Sequence, residues 1–319
     1  DTADDTAAEG ETTMYKIGIS QYGEHASLDN CREGFLQGLA QAGLVEDVDF
    51  KVDYQNAGFD DAIATQIGQS FSAGDVDLMV GIATPSAVAC FNAAEDKDIP
   101  VIFTAITDPV GAKLDSGNIT GTSDALDTAA IFKLMTTADP DCKYVGLLYD
   151  QGQDSSTQAI ADAKAYLDKA GIKYIEKTGS TTDEINLAAQ SLIAEKVDAI
   201  FTPTDNTVMT AELSIYESLA KAGIPHYCGA DSFALNGAFC SYGVDYANLG
   251  KMTADMVVDV LVNGKDPATT PVQTFDNGIA TVNTETCKEL GLDLNKIKDE
   301  FAPLCTQVVE TTTAESFEQ

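Results

Sequence analysis

The chain carries the same local sequence pattern twice, and this repeat restricts the folds that the chain can adopt. In the first half the apolar run 76–82 is followed by a Thr-Pro pair and the start of a helical pattern. In the second half the run 197–201 ends in the same way, roughly 120 residues later. Because proline donates no hydrogen bond to a sheet, such a run is typical of a buried strand that ends at the proline. A repeat of this length predicts two domain-sized halves rather than a solenoid.

Strand-like and helix-like segments alternate along both halves. Residues 16–20 are a short apolar segment, and residues 28–42 follow with apolar side chains at helical spacing, a cycle that recurs in the second half. This alternation predicts an α/β fold with two Rossmann-like lobes, each built on a parallel, doubly wound sheet with right-handed crossovers. Late elements are exchanged between the lobes, which implies a three-segment hinge near Thr122, Val244 and Phe275.

The predicted lobes are therefore discontinuous in sequence: lobe 1 is 14–122 plus 245–273, and lobe 2 is 123–244 plus 274–305. Residues 1–13 contain no large apolar side chain, so we expect a disordered tether. This acidic, Thr-rich segment resembles a surface tether whose signal and anchor were removed, the alternative being an artificial end of the chain. The tail 306–319 loses periodicity, so we expect it to be frayed.

The charge of the chain excludes some classes of partner. Asp and Glu number 51 against 18 Lys and Arg, giving a formal net charge of −33. Such a chain repels nucleic acid and anionic lipid, so neither is expected as a partner. No run approaches the roughly 18 to 20 apolar residues of a membrane span.

Seven cysteines occur, without a CxxC motif and without a histidine at metal-binding spacing, so we expect no zinc site. Cys31 and Cys90 fall within helical patterns and are expected as small buried hydrophobes. If the protein is extracellular, Cys228 with Cys240 and Cys287 with Cys305 are candidate disulfides.

Polar loops follow several predicted strands and should face one crevice between the lobes. These loops are 21–29, 83–86, 107–109, 150–156, 204–206 and the residue Asp231. A helix N-terminus in such a loop favours a carboxylate; Ser86 marks one, and Ser155 and Ser156 mark another opposite it. Asp205 or Asp231 can then accept an ammonium, making the crevice a zwitterion trap. The alternative is that these side chains only cap their own helices.

Catalysis has little support in the sequence. His25 lies beside Glu24 and Asp29, which permits an acid/base role, but a lone histidine in such a loop is more often a hydrogen-bonding wall. His226 is expected at a strand start, in a structural role. No GxSxG, GxGxxG or GxxxxGK[ST] motif occurs. We therefore expect no catalytic residue, no metal and no cofactor.

Six short motifs match a known family. They are Ile19-Ser-Gln21 with Glu24-His25 and Leu28-Asp29, Ala83-Thr-Pro-Ser-Ala87, Thr107-Asp-Pro-Val-Gly111, Asn118-Ile-Thr-Gly-Thr-Ser123, Pro203-Thr-Asp-Asn-Thr207 and Tyr242-Gly-Val-Asp-Tyr246. From about Tyr15 to Leu292 the chain resembles the ABC-transporter substrate-binding proteins of the tryptophan/aromatic amino-acid type, which share the type I periplasmic-binding-protein fold. The resemblance implies an extracytoplasmic receptor, periplasmic or anchored as a lipoprotein, that closes on its ligand as a monomer and delivers it to an ABC permease.

Carried over by position, the resemblance places ligand contacts at Gln21, Glu24, His25, Thr84, Ser86, Asp108, Ser156, Thr204, Asp205, Asn206 and Asp231. The segments 150–156 and 229–234 depart from the pattern and bear on the ligand side chain. Tryptophan, phenylalanine or tyrosine is the expected ligand. The alternatives are a ligand-sensing receptor domain for another small zwitterionic or polar solute and, last, an enzyme.

Overall fold

The computed structural model describes residues 14–275 and 278–317, so the predicted tether 1–13 lies outside the described residues. The strands are β1 (Tyr15–Gln21), β2 (Phe50–Asn56), β3 (Leu78–Ile82), β4 (Val101–Ile106), β5 (Ile119–Ser123), β6 (Tyr144–Tyr149), β7 (Lys173–Thr178), β8 (Ala199–Thr202), β9 (His226–Cys228), β10 (Cys240–Gly243), β11 (Gln273–Thr274), β12 (Ile279–Asn283) and β13 (Gln307–Thr311). The helices are α1 (Ala26–Gln41), α2 (Asp61–Ala73), α3 (Thr84–Ala94), α4 (Thr128–Ala138), α5 (Asp154–Ala170), α6 (Thr182–Glu195), α7 (Asn206–Lys221), α8 (Asp231–Leu235), α9 (Tyr246–Leu261), α10 (Thr284–Glu289) and α11 (Leu294–Phe301).

Two sheets form the centres of the two lobes. The sheet of lobe 1 has the strand order β11-β5-β4-β3-β1-β2, and the sheet of lobe 2 has the order β13-β12-β10-β9-β8-β6-β7. All pairings are parallel except that of β10 with β12. The central strands β3, β4 and β8 are buried along their whole length, as a sheet covered by helices on both faces requires. The predicted α/β fold with two mostly parallel sheets is confirmed.

The chain passes between the two sheets three times, after β5, after β10 and after β11. Ser123 and Thr274, assigned from the sequence to lobe 2, lie in strands of the lobe 1 sheet. After the second crossing, α9 packs against α1 at very short range. A Cβ atom on Gly34 would lie 2.0 Å from the carbonyl oxygen of Ala247, so only glycine permits this approach. This packing fixes α1, whose first turn lies at the cleft.

The C-terminal segment is ordered, and the prediction of a frayed tail from residue 306 was wrong. Strand β13 pairs in parallel with β12 over five residues, and Ala314 N donates to Leu235 O at 2.9 Å. Val308 and Val309 on this edge strand are half-buried and point to opposite faces of the sheet, and Val308 packs against the core of lobe 2. The periodicity was too short to be recognised in an isolated five-residue strand.

All seven cysteines are free thiols, so neither candidate disulfide forms. Cys240 is in register with Tyr227 on the neighbouring strand, which places Cys228 on the opposite face of the sheet. The other two thiols each donate to a backbone carbonyl instead, Cys287 to Leu292 and Cys305 to Phe301.

Candidate functional site

A cavity lies between the lobes, at the carboxyl ends of both sheets. Its lobe 1 wall consists of His25, Leu28, Ala83, Thr84, Ala105, Thr107, Asp124 and Tyr246. Its lobe 2 wall consists of Ser155, Thr204, Asp205, Asn206, Met209, Ala230 and Phe233. Two parallel sheets that face each other bring their strand ends, and the helices that follow, to one place.

Three long helices begin at the cavity without a side-chain cap. The N-cap residues of α1, α3 and α5 are His25, Ala83 and Gln153, and none of the three side chains bonds to a backbone N–H of its helix. The first N–H groups of a helix have no intrahelical partner and carry partial positive charge. These helix starts therefore favour an anionic group in the cavity.

Two alanines that line the cavity have backbone angles unusual for a residue with a Cβ atom. Ala83 has φ 73° and ψ 156°, a region used almost only by glycine, and Ala105 has φ 58°. Ala83 directly follows the buried strand β3, and Ala105 is the last residue but one of the buried strand β4. Such strain is concentrated at ligand sites, where the surrounding structure imposes it. It places the start of α3 against the cavity.

Asp205 lines the cavity, but both of its carboxylate oxygens already accept hydrogen bonds from other residues of lobe 2. Its Oδ2 accepts from Asp150 N at 2.8 Å and from Ser156 Oγ at 2.6 Å, and its Oδ1 accepts from Val208 N at 2.9 Å as the cap of α7. Burial raises the pKa of this carboxyl to about 6 in spite of the three donors. The arrangement matches the capping alternative for Asp205 rather than a free acceptor for an ammonium.

Asp124 is a second buried carboxyl of the cavity, and it can accept a further hydrogen bond from a ligand. Its Oδ1 accepts from Thr107 Oγ1 at 3.1 Å and its Oδ2 from the Tyr246 hydroxyl at 2.7 Å, and only 4% of the residue is exposed. The backbone N–H of Asp124 also donates to this carboxyl, and because a carboxylate offers about four acceptor positions, one remains for a ligand. Burial raises the pKa of Asp124. A cation at this place would offset that cost.

The lobes touch directly on both sides of the cavity, as in a closed cleft. Thr107 Oγ1 and Thr204 Oγ1 lie 2.7 Å apart, and His25 Nε2 lies 3.2 Å from Asn206 Oδ1. Since the Thr107 proton goes to Asp124, Thr204 is the donor of the first pair. A further bridge joins the first turn of α1 to α8 through Ser27 Oγ and Asp231 Oδ1. These contacts hold the two lobes together around the cavity.

Five of the eleven residues carried over from the resemblance line the cavity: His25, Thr84, Thr204, Asp205 and Asn206. The six others lie behind or outside its wall, namely Gln21, Glu24, Ser86, Asp108, Ser156 and Asp231. Gln21 binds Asp29 and Arg32 beneath α1, Ser86 accepts from Ser20, and Asp108 accepts from Gly111 N in its own turn. Glu24 is exposed, Ser156 supports Asp205, and Asp231 bridges the lobes.

The sequence analysis did not single out Asp124, Tyr246, Ala105 or Met209 as cavity residues. A signal existed for Asp124, because it follows β5 directly at a strand's carboxyl end. Tyr246 is the first residue of α9 and follows the second crossing, so it belongs to the cleft once the three crossings are known. Ser155, which the sequence analysis places at a helix N-terminus, does line the cavity.

Burial holds the histidine of the cavity and the nearest thiol in their neutral forms. Burial lowers the pKa of His25 to about 4, so its imidazole is neutral at neutral pH, and burial raises the pKa of the nearby Cys31 thiol to about 12. Within 14–275 and 278–317, no three His, Cys, Asp or Glu side chains converge on a possible metal position. Over the same residues, no helix has the length and apolar character needed to cross a bilayer.

Comparison with known proteins agrees with this geometry. Residues 16–302 match the family model described as ABC transporter substrate binding protein. The chain is 34% identical over 287 residues to the tyrosine-binding protein of Clostridioides difficile (strain R20291), covering 88% of this chain and 81% of the relative.

Two solved structures show the same architecture in different states. The complex of a Streptococcus pneumonia ABC domain with L-Trp has a TM-score of 0.86 at 34% identity, covering 93% of this chain and 100% of the other. The ligand-free, open structure of a substrate-binding protein with adhesive properties from Clostridium difficile has a TM-score of 0.71 at 31% identity, covering 94% and 100%. The higher score with the liganded protein accords with the closed cleft described above. The resemblance inferred from the motifs is confirmed, and the chain belongs to the ABC transporter substrate-binding protein family.

Proposed function

We propose that this protein captures an aromatic amino acid in the cleft between its lobes and presents it to an ABC permease. The observation that carries the proposal is a cavity between the lobes whose lining combines a buried carboxyl with a spare acceptor position, Asp124, an uncapped helix start and apolar side chains. The similarity to a tyrosine-binding protein and to a protein solved with L-Trp supports an aromatic side chain.

The two charged groups of the ligand take different partners in this proposal. Its ammonium donates to Asp124, because a buried carboxylate gains most from a charged donor. Its carboxylate lies at the start of α3, next to Thr84. Among the described residues no Lys or Arg lines the cavity, so helix N–H groups are the available positive partner for an anion.

The ligand side chain packs on the apolar part of the wall. Leu28 comes from lobe 1, and Met209 and Phe233 come from lobe 2, so one ring can touch both lobes. Contact with both lobes is what makes a ligand favour the closed state, because only differential affinity shifts a conformational equilibrium. Aromatic rings bury much area and suit a flexible methionine neighbour.

Because the chain belongs to the ABC transporter substrate-binding protein family, we place this binding outside the cytoplasm, as a step of an ABC transport system. We further propose that the protein acts as a monomer, that it carries out no reaction on its ligand, and that residues 1–13 connect it to a lipid anchor. Size-exclusion chromatography with light scattering and fatty-acid labelling in the cells that produce the protein test the first and third of these. The second is tested below.

The experiment that tests the proposed function is a thermal-shift screen over the twenty amino acids, followed by mass spectrometry of each mixture. Ligand at about 100 times its Kd stabilises the folded state by about 2.7 kcal/mol, which gives a clear shift. We expect one or more of tryptophan, tyrosine and phenylalanine to raise the melting temperature and to be recovered unchanged. Stabilisation only by non-aromatic solutes, or conversion of the ligand, would contradict the proposal.

A further inference from the structure

A short chain of side-chain hydrogen bonds crosses the closed cleft and ends on His25. It begins in lobe 2 at Gln153, the N-cap residue of α5. Gln153 Oε1 accepts from Asn206 Nδ2 at 3.1 Å. Asn206 Oδ1 lies 3.2 Å from His25 Nε2. Because this last contact joins lobe 2 to lobe 1, the chain reaches His25 only when the cleft is closed.

The amide of Asn206 sets the direction of both bonds. Its Nδ2 donates to Gln153 Oε1, because an amide oxygen can only accept. This leaves Asn206 Oδ1, which is also only an acceptor, for His25 Nε2.

The proton of the His25 ring is thereby placed on Nε2. Asn206 Oδ1 has no hydrogen, so Nε2 is the donor of this pair. Burial keeps the imidazole neutral, so Nδ1 carries a lone pair and no proton. Nδ1 is buried and has no hydrogen-bond partner anywhere in the described chain. A buried acceptor without a donor is costly, and His25 lines the cavity.

We infer that His25 Nδ1 accepts a hydrogen bond from the side chain of the ligand, so that the cleft selects an aromatic amino acid with a phenol or indole donor over phenylalanine. This inference rests on the proposed function. It assigns to His25 a specificity role that needs no charge and no proton transfer. A ligand ring without a donor would leave Nδ1 buried and unpaired.

The position of His25 favours the ligand's side chain over its ammonium as the donor. His25 follows β1, whereas Asp124 follows β5, and β3 and β4 lie between them in the sheet. An ammonium held at Asp124 therefore lies on the β5 side of the cavity, and the ligand side chain is the part that extends toward the β1 side, where His25 lies. Leu28, one turn along α1 from His25, supplies apolar contact beside it.

Matched ligand pairs test the inference by calorimetry on the full chain. Tyrosine is compared with phenylalanine and O-methyltyrosine, and tryptophan with 1-methyltryptophan. For whichever of tyrosine and tryptophan binds more tightly, we expect the donor-free partners to bind about tenfold more weakly or worse. Equal affinities within these pairs would overturn the inference and leave the proposed function standing. Failure of every aromatic amino acid to bind would overturn both.

Two variants separate the acceptor from the closing contact that His25 also makes. His25→Phe removes Nδ1, so we expect the ratio of affinities within a ligand pair to fall to about one, whatever the absolute affinity. Ser27→Ala removes a neighbouring bridge between the lobes without touching the hydrogen-bond chain. It should weaken both members of a pair equally and keep the ratio. A preserved ratio in His25→Phe would refute the role of His25.

Nitrogen NMR of histidine-labelled wild-type protein provides a readout that needs no folded variant. The chain has only two histidines, so the His25 signals are assigned by comparison with His25→Phe. We expect the tautomer with the proton on Nε2, and an Nδ1 resonance that moves when the donor-bearing ligand is added and not when its donor-free partner is added. A proton found on Nδ1 would contradict the inference.

Discussion

The hydroxyl of Ser27 on α1 donates a hydrogen bond of 2.6 Å across the cleft to Oδ1 of Asp231 on α8. The same hydroxyl lies 2.7 Å from Ser232 Oγ. The first residue belongs to lobe 1 and the other two to lobe 2, so this contact breaks whenever the cleft opens. The sequence had suggested Asp231 as a partner for the ligand's ammonium. Its side chain instead bridges the two lobes in the closed state. The buried carboxyl that can still accept a hydrogen bond from the ammonium is that of Asp124.

The first prediction concerns this bridge. Ser27→Ala should weaken ligand binding about fivefold to tenfold, because a lost hydrogen bond of about 1 kcal/mol acts only on the closed state. Isothermal calorimetry measures the affinity, and small-angle scattering should show a larger radius for the ligand-free variant. Ser214→Ala, on the outer face of α7, is the matched control and should leave both quantities unchanged. An unaltered affinity in Ser27→Ala would show that closure does not depend on this contact.

The second prediction concerns Asp124. Asp124→Asn removes the negative charge and keeps the shape, so binding of the amino acid should weaken about tenfold to one hundredfold or more. Asp108→Asn is the control, because Asp108 binds only Gly111 N in its own turn and lies outside the cavity. A variant that binds the amino acid as tightly as the wild type would remove Asp124 from the site.

The fold was readable from the sequence because its signals are local. Runs such as 78–82 and 199–202 are apolar from end to end, and the polar turn after each marks where the strand stops. The same signals place residues near the cleft, which is why His25 and Thr204 were found. These local signals do not specify the direction in which a side chain points after its strand has ended.

The residues that were misplaced show this limit. Ser86 lies three positions from Ala83, on a helix that begins at the cavity, yet its hydroxyl turns inward to Ser20. Asp124 and Tyr246 meet across two chain crossings, an arrangement that depends on the hinge rather than on either segment alone. Contacts of this kind arise from the packing of distant segments, and no periodic pattern records them.

The third prediction concerns pH. Burial raises the pKa of Asp231 to about 6, above the ordinary aspartate value, so between about pH 4 and pH 6 the folded protein holds a proton that the unfolded chain has lost. The contribution of this group to the free energy of unfolding therefore falls as pH rises through that range, by up to roughly 3 kcal/mol. In Asp231→Asn this group does not titrate.

Urea denaturation at several pH values, followed by fluorescence, gives the difference in unfolding free energy between wild type and Asp231→Asn. We expect the wild type to lose stability relative to the variant from about pH 4 to about pH 6, and the difference to level off above that range. Asp60→Asn, at the N-cap of α2 in lobe 1, is a carboxyl control for general charge effects. A difference that does not change with pH would show that Asp231 has an ordinary pKa in the folded protein.

The last prediction concerns the C-terminal strand. Deleting residues 306–319 exposes the edge of β12 and removes two contacts to the loop after α8, from Asn236 Nδ2 to Ala314 O at 2.7 Å and from Ala314 N to Leu235 O. Because α8 carries Asp231, we expect the deletion to lower the melting temperature by about 5 °C or more and also to weaken ligand binding. Deleting only residues 315–319 keeps strand β13 and should leave both values near those of the wild type. If the longer deletion lowered stability and left affinity intact, the strand would support the sheet without holding α8 in place for closure.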